Sequence, residues 1–366
     1  MSADEGTSPS TEGMVDYDAN SRAQKEHALG NSEIIADLAR RVANLPHDLN
    51  MTDYGCGPGQ SAVETVRPAL DAWSRETALK SVSVCHADQH GNDWNTLMNL
   101  VAGKSGYLNR PHPPLVSAAV GSFYDRMVAD RSVSLGTCFF ASHWLRSTVS
   151  LHAPDTVWFA DLTGDARQVM WQKAKDDWIR FLRLRSEELQ PGGYLFVSTI
   201  GAVPEAGEIN GTAASGRGIY RAMQAVTASM AEEGLLDRSA ADNFVFGLWF
   251  LTAQEARQPF EEGSGLADLY EVDTIDVAGV AGGGDVFVSS VNDPADYARK
   301  YAGYTKAFAA SSLRAGLFEA TVGDGRDTAP LENEFFGRLE DLYREKTTAY
   351  ALEQWHLKVI LRRKKD

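Results

Sequence analysis

Basic residues are scarce in this chain. Its 366 residues include 35 Lys and Arg against 50 Asp and Glu, which gives a formal net charge of −15 at pH 7. Binding to nucleic acid or to an anionic membrane needs clustered Lys and Arg. The one basic cluster, residues 362–365, stands at the end of the sequence and is typical of a solvated tail. We therefore expect neither nucleic acid nor a membrane as a partner.

Cysteine is also scarce, since only Cys56, Cys85 and Cys138 are present and they are widely spaced. This odd number fits neither a zinc site nor a disulfide framework, and it favours buried thiols in a reducing compartment. No apolar run is long enough to span a membrane. Residues 1–13 are polar, are predicted to be disordered and contain no apolar segment of a signal peptide. These absences favour a cytoplasmic protein.

Strand and helix patterns alternate through the first 200 residues. Apolar and β-branched runs predict strands at residues 49–54, 81–88, 133–139 and 194–200. Helical patterns occur at about 21–43, from 61 onward and at 177–189. Pro68 predicts a break or kink in the second helix, and Pro191-Gly192-Gly193 predicts the end of the third. The alternation indicates an α/β domain with a mainly parallel sheet.

The remainder of the chain has a different pattern. Residues 205–262 predict a loop followed by helices, with further helices at 295–318 and 332–348. Strand character returns at 269–277 and at 356–361. We expect an α/β core of residues 14–204, about 265–277 and 331–366. A helical cap would then comprise about 205–264 and 278–330.

A glycine-rich turn follows the first predicted strand, in the segment Asp53-Tyr54-Gly55-Cys56-Gly57-Pro58-Gly59. Glycines allow the backbone to come close to a ligand. A dinucleotide fingerprint needs Gly at its first, third and sixth positions, but the sixth position here is Gln60. Such a turn suits S-adenosylmethionine (SAM), which has no phosphates, better than NAD. A tight strand–helix turn without a ligand is the alternative.

Asp88 ends the second predicted strand. An acidic residue at this place accepts hydrogen bonds from the ribose diol of an adenosine-containing ligand. A helix N-cap is the alternative role for such a residue. Together with the glycine turn, Asp88 predicts an adenosine ligand.

Further motifs follow in order: Tyr17-Asp-Ala-Asn20-Ser21-Arg-Ala-Gln24, Gly91-Asn92-Asp93-Trp94-Asn95, Gly121-Ser122-Phe123-Tyr124-Asp-Arg126, His143-Trp144-Leu145, FLRLRSEELQPGG at 181–193, and the last helix and strand at 334–364. In these motifs the chain resembles the SABATH family of SAM-dependent methyltransferases, named for its salicylate, benzoate and theobromine-forming members. The resemblance covers about residues 14–364. It implies a Rossmann-like seven-stranded SAM-binding sheet with an α-helical cap over the substrate.

The resemblance also implies an activity and a set of site residues. Family members transfer a methyl group from SAM to carboxylates of small acids or to ring nitrogens of xanthines, and release S-adenosylhomocysteine. The implied cofactor-binding residues are Tyr17, Ser21, Asp53, Gly55, Gly59, Ser61, Asp88, Gln89, Ser122 and Phe123. The implied substrate-binding residues are Gln24, Phe140, His143, Trp144, Tyr220 and Trp249, of which Gln24, Trp144 and His143 are the catalytic candidates. A homodimer is also implied.

Some positions depart from the pattern of plant members. Phe140 stands where Tyr is common, and Phe244-Val245-Phe246-Gly247 replaces Phe-Asn-x-Pro. The second change removes the pattern of a metal site that some plant relatives have there, so no metal ion is expected. These departures are typical of a microbial member of the family, and its acid substrate cannot be carried over from plant members.

The proposed chemistry needs orientation more than proton transfer. A carboxylate is already ionised at neutral pH, so methyl ester formation requires no general base. Gln24 and Trp144 supply neutral N–H donors that would align the carboxylate without a charge that over-stabilises the ground state. We expect His143 to contact the substrate in the pocket. The alternative is that its imidazole has a purely structural role.

Other functions remain open from the sequence. An N- or phenolic O-methyltransferase acting on a ring substrate would make His143 more important as a base. A SAM-binding protein without transferase activity and an NAD(P) oxidoreductase are further alternatives. Arg217 and Arg221 lie one helical turn apart and would be placed to bind a second carboxylate, or else form a solvated face.

Overall fold

The computed structural model describes residues 22–46, 48–76, 81–204, 212–261, 263–280, 285, 287–323 and 325–365. The strands in this part are β1 (Leu49–Tyr54), β2 (Val82–Asp88), β3 (Leu115–Val120), β4 (Val133–Phe139), β5 (Leu189–Ile200), β6 (Ala202–Pro204), β7 (Thr212–Ala214), β8 (Tyr270–Gly279) and β9 (Trp355–Arg363).

The α-helices are α1 (Arg22–Gly30), α2 (Ser32–Val42), α3 (Gln60–Glu76), α4 (Trp94–Ala102), α5 (Gly164–Glu188), α6 (Arg217–Glu232), α7 (Arg238–Asn243), α8 (Ala253–Glu261), α9 (Leu266–Leu269), α10 (Pro294–Leu313), α11 (Glu319–Val322) and α12 (Ala329–Glu345). A π-helical turn, Arg314–Phe318, joins α10 to α11. Within the described ranges, no helix is long and apolar enough to cross a membrane.

A mixed seven-stranded sheet has the order β3-β2-β1-β4-β5-β9-β8. The five strands from β3 to β5 run parallel, whereas β9 is antiparallel to both of its neighbours. The prediction of an α/β domain with a mainly parallel sheet is therefore confirmed. The strand order reverses between β1 and β4, and such a switch point leaves a crevice beyond the carboxyl ends of the strands.

Helices cover both faces of this sheet because its central strands alternate apolar side chains toward each side. One buried cluster joins α2 and α3 to Met51 of β1 and Phe196 of β5. The other joins Trp178 and Phe181 of α5 to the opposite face and continues into the later helices. Burial on both faces explains why these strands read as near-continuous apolar runs in the sequence.

The later helices pack on one another beside the carboxyl edge of the sheet. Helix α12 packs against α10 and α6. The rings of Tyr301 and Tyr343 stack at 4.9 Å between α10 and α12. At the surface, Arg338 pairs with Glu233 at 2.6 Å. These contacts fix the helices that stand over the end of the sheet.

Several element boundaries differ from the sequence prediction. The predicted helix at 21–43 is two helices that meet at Asn31, whose side chain donates to the His27 carbonyl at 2.9 Å. Helix α3 continues across Pro68. Helix α5 begins at Gly164, well before residue 177. Strand β3 and helix α4 are elements that the sequence patterns did not predict.

The Pro191-Gly192-Gly193 segment lies inside β5 and not in a loop after a helix. Gly192 has φ +84°, and a Cβ at Gly193 would lie 3.0 Å from three carbonyl oxygens. The pairing register of β4 and β5 also shifts at this point. The predicted helix end agrees with the structure, since α5 ends at Glu188, and the residues that follow it form an irregular strand.

Candidate active site

The turn after β1 approaches the loop after β4 very closely. Gly55 has φ +71°, and its backbone N–H donates to the Ala87 carbonyl at 2.7 Å. A Cβ at Gly55 would lie 2.3 Å from the Ala141 Cβ. Glycine is therefore required both by the left-handed backbone and by a neighbouring loop. The sequence interpretation gave only close approach to a ligand as the reason.

Asp88 lies at the carboxyl end of β2, beside this turn. Its Oδ2 accepts from the Gly57 N–H at 2.6 Å, and its Oδ1 accepts from the Gln89 N–H at 2.7 Å. Burial raises the pKa of Asp88 although both hydrogen bonds favour its ionised form. An ionised carboxylate has about four acceptor sites. Because Oδ2 also accepts from the Cys56 thiol at 3.8 Å, Oδ1 is the oxygen that can accept a further hydrogen bond from a ligand in the adjoining cleft.

Asp53 lies beneath the turn and is 3 % exposed. The Thr137 hydroxyl donates to its Oδ1 at 2.7 Å across the β1–β4 pair. Burial raises the pKa of Asp53 to about 7, and the neighbouring Asp88 carboxylate adds to the increase. A carboxyl group with this pKa is sensitive to any positive charge brought into the cleft.

A cleft of about 220 Å³ opens at the carboxyl ends of β1, β2 and β4. Of the predicted cofactor residues, its wall contains Gly55, Asp88, Gln89 and Phe123. The remaining described ones, Asp53, Gly59, Ser61 and Ser122, are not among the wall residues. Tyr17 and Ser21 lie outside the described residues. The cleft therefore brings together the two motifs of the first strand–helix turn and the second strand end.

Further wall residues had no predicted role: Gly57, Pro58, Gly91, Asn92, Asp93, Phe139 and Ala141. Asn92 and Asp93 follow Asp88 directly in the sequence, within a motif that the chain shares with a known family. Their position shortly after Asp88 in the sequence could have predicted that they line the cleft. Asp93 also caps α4, because its Oδ1 accepts from the Thr96 N–H at 3.0 Å.

A second, smaller cavity of about 50 Å³ adjoins the cleft, and we call it the acceptor pocket. Its wall comprises Gln24, Phe140, His143, Trp144, Ile200, Ser215, Gly216, Ile219, Tyr220, Phe250, Tyr304, Phe308, Leu352 and Gln354. Gln24, Phe140 and Trp144 line both cavities. These three side chains therefore mark the junction of the cleft and the pocket.

Phe140 adopts an uncommon backbone conformation at this junction, with φ +51°. Its ring packs edge-on against the His27 ring at 4.4 Å and against the His356 ring at 5.4 Å. Its N–H donates to the Ser198 carbonyl at 3.1 Å. Strained residues of this kind persist where the surroundings hold them, and these contacts fix the Phe140 ring between the two cavities.

Trp144 is held through its backbone. Its N–H donates to the Ala141 carbonyl at 3.0 Å, and its carbonyl accepts from the Tyr124 hydroxyl at 2.6 Å. An isolated bridge also pairs it with Leu248. Because the main chain is tied on both sides, the indole ring has a defined position at the junction.

A family model described as SAM dependent carboxyl methyltransferase matches residues 7–364. The chain belongs to this family. The SABATH resemblance is thereby confirmed over nearly the whole sequence.

Individual relatives agree with this family assignment. The methyltransferase is 25% identical to indole-3-acetate O-methyltransferase 1 of Oryza sativa subsp. japonica over 356 residues, 88% of this chain and 83% of the relative. It is 24% identical to anthranilate O-methyltransferase 3 of Zea mays over 265 residues, 65% of this chain and 68% of the relative. A solved structure, loganic acid methyltransferase with SAH, has a TM-score of 0.73 at 17% identity, with 96% of both chains covered. That structure shows the same fold.

The cleft of the methyltransferase fits SAM. Asp88 offers carboxylate acceptors to a ribose diol, and the turn at Gly55 and Gly57 keeps side chains away from the space beside it. Phe123 and Phe139 supply aromatic surface. Among the described residues of the wall there is no Lys or Arg that would bind phosphate, which agrees with a cofactor that lacks a pyrophosphate.

His143 of the methyltransferase is buried and neutral. Its Nδ1 lies 2.8 Å from the Thr199 hydroxyl, and burial lowers its pKa to about 3. A general base works best with a pKa near the working pH. The imidazole therefore contributes shape to the acceptor pocket, and it is a poor proton acceptor.

The two cap residues assigned to the pocket differ in their placement. Tyr220 lines the pocket and stacks on Trp158 at 5.4 Å. Trp249 is not a wall residue, because its indole packs on Phe159 at 4.7 Å and under the Arg167 guanidinium at 5.2 Å. The next residue, Phe250, lines the pocket instead. Successive residues of an extended segment face opposite sides. The sequence alone could therefore have placed either Trp249 or Phe250 in the pocket, but not both.

The arginine pair does not reach the acceptor pocket. Arg221 is half-exposed and pairs with Asp161 at 3.2 Å. Neither Arg221 nor Arg217 is a wall residue of either cavity. The hypothesis that Arg221 binds a second carboxylate is therefore not supported by its position.

The segment Phe244-Val245-Phe246-Gly247, which replaces the pattern of a metal site, has a different environment. Phe244, Val245 and Gly247 line a separate cavity beside the π-helical turn. Over the part of the chain that the structure describes, no group of three or more His, Cys, Asp or Glu side chains is arranged to hold a metal ion.

Proposed function

We propose that this enzyme transfers the methyl group of SAM to the carboxylate of a small organic monocarboxylic acid and releases the methyl ester with S-adenosylhomocysteine. The observation that carries the proposal is the junction, where Gln24 and Trp144 line both the cleft and the acceptor pocket. Relatives named for indole-3-acetate and anthranilate methylation support a small acid as the acceptor.

Gln24 and Trp144 would hold the substrate carboxylate through side-chain N–H donors. His143, Phe140 and Tyr220 would shape the pocket around the body of the acid, with Trp249 supporting Phe250 from behind. Asp88, Gln89, Gly55 and Phe123 would contact the cofactor directly. Asp53, Gly59, Ser61 and Ser122 would support that site from outside its wall, and Tyr17 and Ser21 are assigned to it by family resemblance.

The chain's own groups would act by alignment and exclusion of water. When bound, SAM supplies an electrophilic methyl group. Gln24 and Trp144 would turn one carboxylate oxygen toward the cleft, and such alignment contributes about 7–11 kcal/mol in well-oriented reactions. The aromatic residues Phe140, Tyr220 and Phe250 would keep water from the carboxylate, whose hydration weakens it as a nucleophile. No proton has to be removed, in keeping with the lowered pKa of His143.

The charge of the pocket supports a monocarboxylate. In the part of the chain that the structure describes, no Lys, Arg, Asp or Glu lines this pocket. A second carboxylate would therefore be desolvated without a cationic partner, which is strongly unfavourable. The N- or phenolic O-methyltransferase alternative needs a base or a neutral nucleophile. Of the described wall residues His143 is the candidate base, and burial lowers its pKa to about 3.

We also propose which parts of the chain bind SAM and substrate, and that the protein is a homodimer. Residues 14–204, about 265–277 and 331–366 would form the SAM-binding core, and about 205–264 and 278–330 would form the substrate cap. The family resemblance supports a homodimer in the cytoplasm. The net charge of −15 supports a small molecule, and not nucleic acid or a membrane, as the partner. Light scattering at several concentrations tests the dimer.

The test of the activity uses a panel of small acids with SAM and detects methyl esters by product mass. Trp144→Phe and Gln24→Leu each remove donors at the junction. Hydrogen bonds to a charged group contribute about 1.5–3 kcal/mol, so we expect kcat/KM to fall roughly 10- to 150-fold. Calorimetry should show S-adenosylhomocysteine affinity largely retained.

Matched controls are Trp171→Phe and Gln172→Leu, whose side chains lie outside both cavities. Both controls should keep wild-type kcat/KM. Unchanged ester formation in Trp144→Phe and Gln24→Leu would refute the carboxylate clamp, and the absence of ester from every acid would refute the activity.

A further inference from the structure

Gln354 is a buried polar residue on the wall of the acceptor pocket, and it has no role in the proposed methyl transfer. The residue is only 5 % exposed. Its Nε2 is buried and has no hydrogen-bond partner among the residues that the structure describes. Buried amide groups in proteins nearly always have a partner. A donor without one on the wall of a substrate pocket indicates that the bound substrate provides it.

The segment that carries Gln354 is firmly held. The Gln354 carbonyl accepts from the Val280 N–H at 3.0 Å. Next to it, the Trp355 N–H donates to the Ser215 hydroxyl at 2.8 Å. The Leu352 N–H donates to the Tyr301 hydroxyl at 2.9 Å. Main-chain contacts on both sides fix the point from which the Gln354 side chain projects, and a site on a rigid segment favours recognition of a particular group.

Gln354 lies apart from the junction. Gln24 and Trp144 line both cavities, whereas Gln354 lines the acceptor pocket alone. Tyr304 shares this placement. Burial raises the pKa of Tyr304 to about 12, so its hydroxyl stays protonated and neutral at physiological pH. The part of the pocket away from the cleft therefore carries a neutral amide and a neutral hydroxyl.

We propose that Gln354, together with Tyr304, binds a neutral hydrogen-bond acceptor on the body of the acid substrate, such as a hydroxyl, carbonyl or ether oxygen. This inference rests on the proposed function and narrows its substrate class. The acids that fit best carry a carboxylate at the junction and an uncharged oxygen at the other end. A site built to hydrogen-bond a substrate rejects an analogue without that group, because its own buried polar atoms are then left unpaired.

The experiment compares matched acids that share one carbon frame and differ only at the far position, which carries hydrogen, methyl, hydroxyl, methoxy or carboxylate. Binding to the enzyme saturated with S-adenosylhomocysteine is measured by calorimetry, and kcat and KM are measured with SAM. We expect the wild type to bind the oxygen-bearing acids at least tenfold more tightly than the methyl analogue. The difference should appear mainly in KM.

The decisive variant is Gln354→Leu, which keeps the size of the side chain and removes the amide. It should lose the preference for oxygen over methyl, while the affinity for S-adenosylhomocysteine is retained because Gln354 does not line the cleft. Gln354→Met provides the same test with a more flexible side chain. Gln224→Leu is the matched control, because this glutamine lies on α6 and lines a different cavity. It should keep the wild-type preference.

Two results would overturn the inference while leaving the proposed function intact. One is a wild type that methylates acids without distinguishing oxygen from methyl, a comparison that needs no variant. The other is an oxygen preference that persists in both Gln354 variants. A wild type that forms no ester with any acid would instead overturn the proposed function, and this inference with it.

Discussion

The backbone N–H of Gly57 donates a hydrogen bond to the Asp88 carboxylate at 2.6 Å. This bond ties the turn after β1 to the end of β2, and so joins the two sequence motifs that predicted an adenosine ligand. The Gln89 N–H donates a hydrogen bond to the other carboxylate oxygen at 2.7 Å. Asp88 is therefore oriented by the main chain before any ligand binds.

Asp88→Asn should weaken SAM binding. The amide would replace one carboxylate oxygen by an N–H₂ group. That group cannot accept the backbone N–H, or the ribose hydroxyl, that the carboxylate oxygen would accept. Loss of one charged hydrogen bond corresponds to about 1.5–3 kcal/mol, or roughly 10- to 150-fold in Kd. Calorimetry with S-adenosylhomocysteine measures the change. Asp71→Asn, on the outer face of α3, is the control, and equal affinities in the two variants would contradict the role of Asp88.

SAM binding should strengthen as the pH rises through 7. In the ligand-free protein the pKa of Asp53 is raised to about 7 by burial and by Asp88. The sulfonium charge of SAM favours the ionised carboxyl, so binding should release a proton below pH 7. Each unit by which binding lowers the pKa gives about tenfold in affinity. Titrations at pH 6 and pH 8, in buffers of different ionisation enthalpy, measure both effects.

S-adenosylhomocysteine lacks the sulfonium charge and should show a smaller pH dependence than SAM. Asp53→Asn should flatten the SAM profile. The same residue affects folding in the opposite direction. Its contribution to stability is fully present below its unfolded pKa near 4 and is lost as the pH rises through 7. A SAM affinity that is independent of pH in the wild type would count against an Asp53 pKa near 7.

The free energy of unfolding should fall steeply between pH 6.5 and pH 4. Burial lowers the pKa of His86 and His356 to about 4 and that of His143 to about 3. It also lowers the pKa of His27, whose Nδ1 lies 3.0 Å from the His356 Nδ1. These rings are neutral when folded and take up protons when unfolded, so the stability present above pH 6.5 is lost as the pH falls.

Each such histidine contributes about 1.4 kcal/mol per pH unit within this window. Replacing one of them, in His356→Phe, should therefore reduce the slope by about this amount. The exposed His112 provides the control variant His112→Gln, whose slope should match the wild type. Urea unfolding at half-unit pH steps measures the slopes. A His356→Phe slope equal to that of the wild type would contradict the prediction.

Glu188 should be essential for stability because it satisfies several buried groups at once. It accepts from the Tyr54 hydroxyl at 2.6 Å, from the Met127 N–H at 2.6 Å and from the Arg185 guanidinium at 2.9 Å. Both Glu188 and Arg185 are 0 % exposed. Glu188→Ala leaves an uncompensated buried cation and should reduce the free energy of unfolding by about 3–5 kcal/mol.

Glu187→Ala is the control for this variant, since the adjacent side chain is exposed. Its change in the free energy of unfolding should be below about 0.5 kcal/mol, as for most surface substitutions. Urea denaturation compares the two variants. A similar midpoint for both would show that the buried carboxylate is not needed.

The sheet and the cofactor cleft were largely predictable from the sequence. Strands β1 and β4 have the predicted bounds, because both are buried on two faces and their apolar runs end at turn residues. The exposed edge strand β3 was missed, since most of its residues are exposed and it carries no such run. Helix α5 was placed too short because its polar first half lacks a clear apolar face.

By itself, the sequence determined the fold class, the family and the cofactor side of the site. Those features depend on residues that are neighbours in the chain, where a glycine turn or a strand end is encoded locally. The family resemblance predicted Gln24, Phe140, His143, Trp144 and Tyr220 for the acceptor pocket, and the tertiary structure alone decided which further residues share its wall. It brings Gln24 of α1 together with His143, Tyr304 of α10 and Gln354 before β9, and it turns Trp249 away in favour of Phe250. Residues from opposite ends of the chain share one wall only after the helices pack over the sheet, so no local pattern could specify which of them meet the substrate.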